Sequence, residues 1–200
     1  MSVEARIKFF TPFDFLNRYL NPIDTIVLDL DNTLIYSRSP SEKPKGVASP
    51  KRIRYFSALG YDVAMRPGLV AFLNFIRKRF NKVIVWSAGT EKYVNSIVDN
   101  IFSKVGYRPD AILSRGDCVQ MKEEQVYTKP LYKLVEMGYV KSLDNVVLLD
   151  DLATNFAPNP SNGIHIPSFE GSEDNHLIKL MDWLNSRPNV TVDEIKLFKF

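Results

Sequence analysis

Two aspartates one residue apart, Asp29 and Asp31, follow the apolar run Thr25 to Leu28, with Asn32 and Thr33 directly behind them. Carboxylates at the end of a buried strand repel one another and lose hydration, a cost that a cation between them relieves. A second acidic pair, Asp150-Asp151, follows the run Asn145 to Leu149. Ser87-Ala88-Gly89-Thr90 closes the run Lys82 to Trp86, and a hydroxyl on a glycine-loosened turn ahead of a helix suits an anion. Lys129 precedes Pro130, a residue favoured at the first position of a helix, where a cation gains nothing from the dipole unless an anion sits there too. Each group alone has a plainer reading. Asp29 to Thr33 also suits an Asx-turn or a cap, Ser87 or Thr90 and Asp151 suit helix caps, and Lys129 suits a solvated surface. A calcium loop of the EF-hand type is excluded, because its glycine position holds Leu34 and its closing acid position holds Pro40.

The elements that must position these residues read as strands alternating with helices. Thr25 to Leu30, Lys82 to Trp86 and Asn145 to Leu149 are apolar nearly throughout, as parallel strands covered on both faces are; Ala111 to Leu113 and Gly163 to Ile166 are weaker strands. Helical spacing links Leu69, Phe72, Leu73 and Ile76, then Val94, Ile97, Val98, Ile101 and Val105, then Leu177, Leu180, Met181 and Leu184. The pattern predicts a doubly wound α/β sheet, which binds ligands at the carboxyl ends of its strands. Tyr36 to Pro50, rich in Ser, Pro and Lys, reads as an exposed loop, and Arg52 to Phe56 and Tyr61 to Met65 flank Leu59-Gly60 as a small hairpin. Phe13, Leu16 and Leu20 suit a short docking helix. The expected organisation is a docking segment over 1–24, one domain over 25–185 with an insert at 36–65, and an apolar tail over 186–200.

In a parallel sheet the four chemical groups share one edge. Acids that hold Mg²⁺, a hydroxyl and a lysine make up a phosphoryl-transfer site. The ordered set Asp29-x-Asp31-x-Thr33, Ser87, Lys129 and Asp150-Asp151 resembles the motifs of the haloacid dehalogenase superfamily, and most resembles its RNA polymerase II C-terminal-domain (CTD) phosphatase group, which includes the small CTD phosphatases and Dullard-like enzymes. Asp29 to Ser37, Arg66-Pro67-Gly68, Ser87 to Tyr93 and Tyr127 to Leu131 carry the resemblance, which covers about Thr25 to Trp183. It implies a haloacid-dehalogenase-like Rossmannoid parallel sheet with helices on both faces. It further implies that Asp29 is the nucleophile of an aspartyl-phosphate mechanism and that Asp31 is the acid and base. Mg²⁺ would be held by Asp29, the Asp31 carbonyl and Asp151 with Asp150 beside them. Thr33, Ser87, Lys129 and, by alignment, Arg115 would serve the phosphate or substrate. The chain departs from the group's pattern at Asn32 (usually Glu), Ser87 (usually Thr) and Gly89 (often Ser).

Forty-two positions separate Ser87 from Lys129, filled by one helix and one strand. That leaves no room for a large cap and favours a phosphorylated protein over a small metabolite as substrate. The composition fits a soluble intracellular protein: 45 % hydrophobic, 24 % charged, one cysteine and a net charge of +3, too weakly basic to point to nucleic acid. No apolar run is long enough for a membrane helix. Cys118 lacks the phosphate-cradling arginine of a cysteine phosphatase, two histidines are too few for a typical dimetal hydrolase, and P-loop, dinucleotide and serine-hydrolase motifs are missing. His165 reads as a core or edge residue. Two alternatives stay open. One is a small-molecule or polynucleotide-end phosphatase, whose anionic chain the cluster Lys43, Lys45, Lys51, Arg52 and Arg54 would follow. The other is a non-catalytic binding module on the same fold, against which an intact Asp31 argues.

Overall fold

A computed structural model describes residues 22–39, 53–121 and 127–200. Strands β1 (Thr25–Leu28), β5 (Lys82–Trp86), β6 (Ala111–Leu113), β9 (Val146–Asp150) and β10 (Gly163–His165) form a five-stranded sheet in the order β10-β9-β1-β5-β6, parallel throughout. Alternate side chains fill two layers, as the two-residue period of a strand requires. Ile26, Leu28, Val83, Val85, Val147 and Leu149 face the larger core with helices α1 (Leu69–Arg79), α2 (Glu91–Phe102) and α4 (His176–Asn185). Val27, Ile84, Trp86, Val146 and Leu148 face a smaller core closed by the short helix α3 (Tyr132–Glu136) and Phe156. Helices therefore cover both faces, unequally. The predicted stripes of α1 and α4 are the buried ones apart from Met181, which is half-buried; in α2 the helix stops at Phe102, so Val105 packs from the turn beyond it.

The region after β1 differs from the sequence reading. Residues 36–38 are not loop: strand β2 (Ile35–Arg38) pairs antiparallel with β4 (Tyr61–Met65), which pairs with β3 (Arg54–Ala58). Ile35 is buried against Met65 of β4, and that cross-strand contact outweighs the polar composition of the residues after it. The β3–β4 hairpin is confirmed. Its two-residue turn places both Leu59 (φ 50) and Gly60 (φ 83) in the left-handed region, as a type I′ turn demands. Positions 40–52 and the docking helix around Phe13, Leu16 and Leu20 lie outside the described residues, as do Lys43, Lys45, Lys51 and Arg52. Strand β9 starts one residue later than expected and includes Asp150, so that acid closes the strand instead of following it. A two-stranded ribbon, β7 (Val119–Gln120) and β8 (Tyr127–Thr128), precedes Lys129. After 185 the chain turns back: Val190 and Ile195, the latter in α5 (Val192–Ile195), join the larger core, and Phe198 and Phe200 pack around Trp183 and His176.

Candidate active site

Register fixes the site. Leu28 lies beside Val85 of β5 and Leu149 of β9, and Trp86 lies beside Leu113 of β6, so the carboxyl ends of four strands stop at one level. From that edge project Asp29, Ser87, Asp150-Asp151 and, beyond β6, Arg115. After Asp29 the chain turns sharply: Thr33, Leu34 and Ile35 all donate backbone N–H groups to the Leu30 carbonyl. Asn32 sits at φ 59, a conformation asparagine tolerates better than most residues, and its amide and carbonyl both bond Phe169. Position 32 thus clips the loop after β10 beside the site.

Lys129 does not stand on a solvated surface. It is 1 % exposed, and its ammonium donates to Asp29 Oδ1 (2.5 Å) and Asp150 Oδ2 (2.7 Å). Nor does it abut a helix N-terminus, since α3 begins only at Tyr132. Asp150 is fully committed: Oδ1 accepts from the Leu152 N–H and the Asn155 amide, and Oδ2 accepts from Lys129 and that same amide. The Asn155 carbonyl in turn accepts the Lys129 N–H (2.8 Å). Asn155 therefore ties acid and lysine together. Asp151 is held differently, by the Thr33 hydroxyl, which accepts the Asp151 N–H (3.0 Å) and donates to its carboxylate (3.4 Å), and by Ser168. Thr33, expected at the substrate, is fully buried and faces Asp151. His165, on the edge strand, donates from Nε2 to the Asp151 carbonyl.

Asp31 stands across from this group. Its Oδ1 accepts the Tyr93 hydroxyl, and its Oδ2 lies 3.5 Å from Ser87 Oγ. Ser87 Oγ also accepts the Gly89 N–H. Arg115 reaches the rim, where its Nε donates to the Ala88 carbonyl (2.7 Å) and its guanidinium lies over Tyr127. These residues line a cleft of about 900 Å³, together with Leu59 and Tyr61 from the hairpin and Leu152. Sequence reasoning singled out eight positions, of which Asp29, Asp31, Ser87, Arg115 and Asp151 line the cleft, while Thr33, Lys129 and Asp150 are buried around it. It missed Tyr93 as a partner of Asp31, and it missed Asn155 and Ser168 altogether.

Carboxylate oxygens of Asp29, Asp150 and Asp151 lie within 4.8 Å of one another. Burial pushes the carboxyls of Asp29, Asp31 and Asp151 above the usual range; for Asp29 burial outweighs the pull of Lys129, with Asp150 adding to the rise. Lys129 goes up as well, because its two carboxylates outweigh its own burial. One lysine among four acids leaves an excess of negative charge on hard oxygen donors, the donor chemistry that fits Mg²⁺. Burial also pushes the Cys118 thiol up, away from the thiolate a cysteine nucleophile needs.

The model of the NLI interacting factor-like phosphatases matches residues 24–193. The chain belongs to that family. Among the family's CTD phosphatase-like relatives, it is 33 % identical over 176 residues to CTD small phosphatase-like protein 2 of Dictyostelium discoideum, covering 85 % of this chain and 28 % of that one. It is 30 % identical over 161 residues to the CTD phosphatase-like protein 355R of invertebrate iridescent virus 3, covering 75 % of this chain and 86 % of that one. Fission yeast Fcp1, an RNA polymerase II CTD phosphatase solved with beryllium fluoride, shares the fold with a TM-score of 0.55 at 21 % identity, over 92 % of this chain and 53 % of that one. The chain thus spans under a third of the first relative and about half of the Fcp1 chain. The haloacid-dehalogenase-type fold inferred from the motifs is the one observed.

Proposed function

We propose that this NLI interacting factor-like phosphatase is a Mg²⁺-dependent protein serine/threonine phosphatase acting through an aspartyl-phosphate on Asp29. The observation that carries the reading is the Lys129 ammonium bridging Asp29 and Asp150 beside Asp151, with Asp31 across the cleft. Lys129 holds Asp29 Oδ1, which turns the other oxygen toward an incoming phosphorus atom. As the bond from Asp29 to phosphorus forms, the bond to the leaving serine or threonine oxygen breaks, and Asp31 gives that oxygen a proton. Asp31 then takes a proton from the water that attacks the phosphoaspartate, releasing inorganic phosphate and restoring both acids. Asp29, Asp151 and the Asp31 carbonyl would hold Mg²⁺, whose charge offsets the repulsion between a carboxylate and a phosphate dianion. Ser87 and the Lys129 ammonium meet the phosphoryl oxygens, Arg115 meets the substrate chain, and Thr33 and Asp150 serve as positioning residues for Asp151 and Lys129.

The cleft mouth is lined by Leu59, Tyr61, Tyr127 and Leu152 and opens outward, which suits a peptide segment carrying the phosphate. CTD-like phosphopeptides are the first candidates. With Mg²⁺ present, kcat/KM for a phosphoserine or phosphothreonine peptide should exceed that for sugar phosphates and nucleotides, and chelator should abolish turnover. Asp29→Asn should eliminate activity, a loss of at least ~10³-fold for removal of a nucleophile. A preference for small phosphates, or turnover in chelator, would contradict the proposal.

A further inference from the structure

We infer that Tyr93 is a positioning residue for Asp31, holding one carboxyl oxygen so that the acid proton resides on the other, facing the leaving group. The inference rests on the reading of Asp31 as proton donor. Tyr93, in the first turn of α2, donates its hydroxyl to Asp31 Oδ1, and Ser37 Oγ of β2 lies 2.6 Å from the phenolic oxygen. With the phenolic hydrogen committed to Asp31, Ser37 is the donor to Tyr93, so the hydrogens run one way: Ser37 to Tyr93 to Asp31. Such a directed chain polarises each member and strengthens the last bond.

A protonated carboxyl carries one hydrogen. On Oδ1 it would confront the hydrogen of Tyr93, so it belongs on Oδ2, the oxygen on the Ser87 side of the cleft. The ring that delivers this contact is itself fixed. Tyr61 packs edge-on at 5.7 Å, and a Cβ at Gly89 would fall 2.7 Å from Tyr93 Cδ1. Gly89 has no positive φ, and with the ring where it lies in this chain a side chain at position 89 would push against it.

A misplaced acid harms a poor leaving group more than a good one, which separates this role from general support of the fold. For Tyr93→Phe, kcat/KM on a phosphoserine peptide should fall ~10–100-fold, within the range general acids contribute, while para-nitrophenyl phosphate should fall no more than ~3-fold because nitrophenolate departs without a proton. Asp31→Asn should shift the same ratio further. Gly89→Ala, which displaces the ring and keeps its hydroxyl, should shift it in the same direction. Thermal melts should show both Tyr93→Phe and Gly89→Ala folded. Equal losses on the two substrates, or a peptide rate that survives Tyr93→Phe, would overturn the inference and leave the phosphatase reading standing. A wild-type protein inert toward both substrates would overturn the reading and the inference together.

Discussion

Asp150 and Asp151 are neighbours in sequence with separate duties. Both oxygens of Asp150 are taken up by Lys129, Asn155 and Leu152, whereas Asp151 leans on Thr33 and Ser168 at the cleft. The two substitutions should therefore fail differently. Asp151→Asn should raise the Mg²⁺ concentration needed for half-maximal activity by ~10-fold or more and change urea stability little. Asp150→Asn leaves a buried ammonium short of a partner and should lower unfolding stability by about 3 kcal/mol, together with kcat. Mg²⁺ titrations and urea denaturation of the two variants check this; identical behaviour would contradict the division. At this scale the sequence showed the acids and Ser87, because each ends or follows an apolar run, and Lys129, because it precedes Pro130. Tyr93, Asn155 and Ser168 were hidden because their bonds cross 62 residues in the first case and rest on an irregular turn or loop in the others.

The hairpin between β3 and β4 delivers Leu59 and Tyr61 to the cleft. Its turn was legible because a glycine between two β-rich runs has few other uses, but β2 was not, since its pairing with β4 spans the polar stretch beginning at 39. Leu59 at φ 50 adopts a conformation costing a non-glycine residue roughly 1–2 kcal/mol, which asparagine partly relieves. Leu59→Asn, which creates the Asn-Gly pair favoured in type I′ turns, should stabilise the protein by about 0.5–1 kcal/mol in urea or thermal unfolding. It should also weaken kcat/KM for phosphopeptides, because Leu59 is 47 % exposed at the mouth of the cleft. A destabilised variant would show that the turn does not constrain Leu59. The helices are a plainer case: their apolar stripes survive because period 3.6 against a buried sheet leaves little freedom.

Across the whole molecule, one sheet edge gathers acidic side chains from distant parts of the chain, and the cleft lies along that edge. The shared edge was legible from strand order in sequence, since parallel strands must end together. The depth of burial was not, because Lys129 follows a two-stranded ribbon and is tied to the turn at Asn155, neither of which has a periodic signature. In the proposed reaction Asp29 becomes phosphorylated. Wild-type protein mixed with Mg²⁺ and a phosphoserine peptide, quenched, reduced with borohydride and mapped by mass spectrometry reads this directly. Homoserine should replace aspartate at position 29, and the replacement should disappear when Mg²⁺ is chelated. Turnover of the peptide with aspartate unchanged at 29, or reduction at another residue, would contradict it.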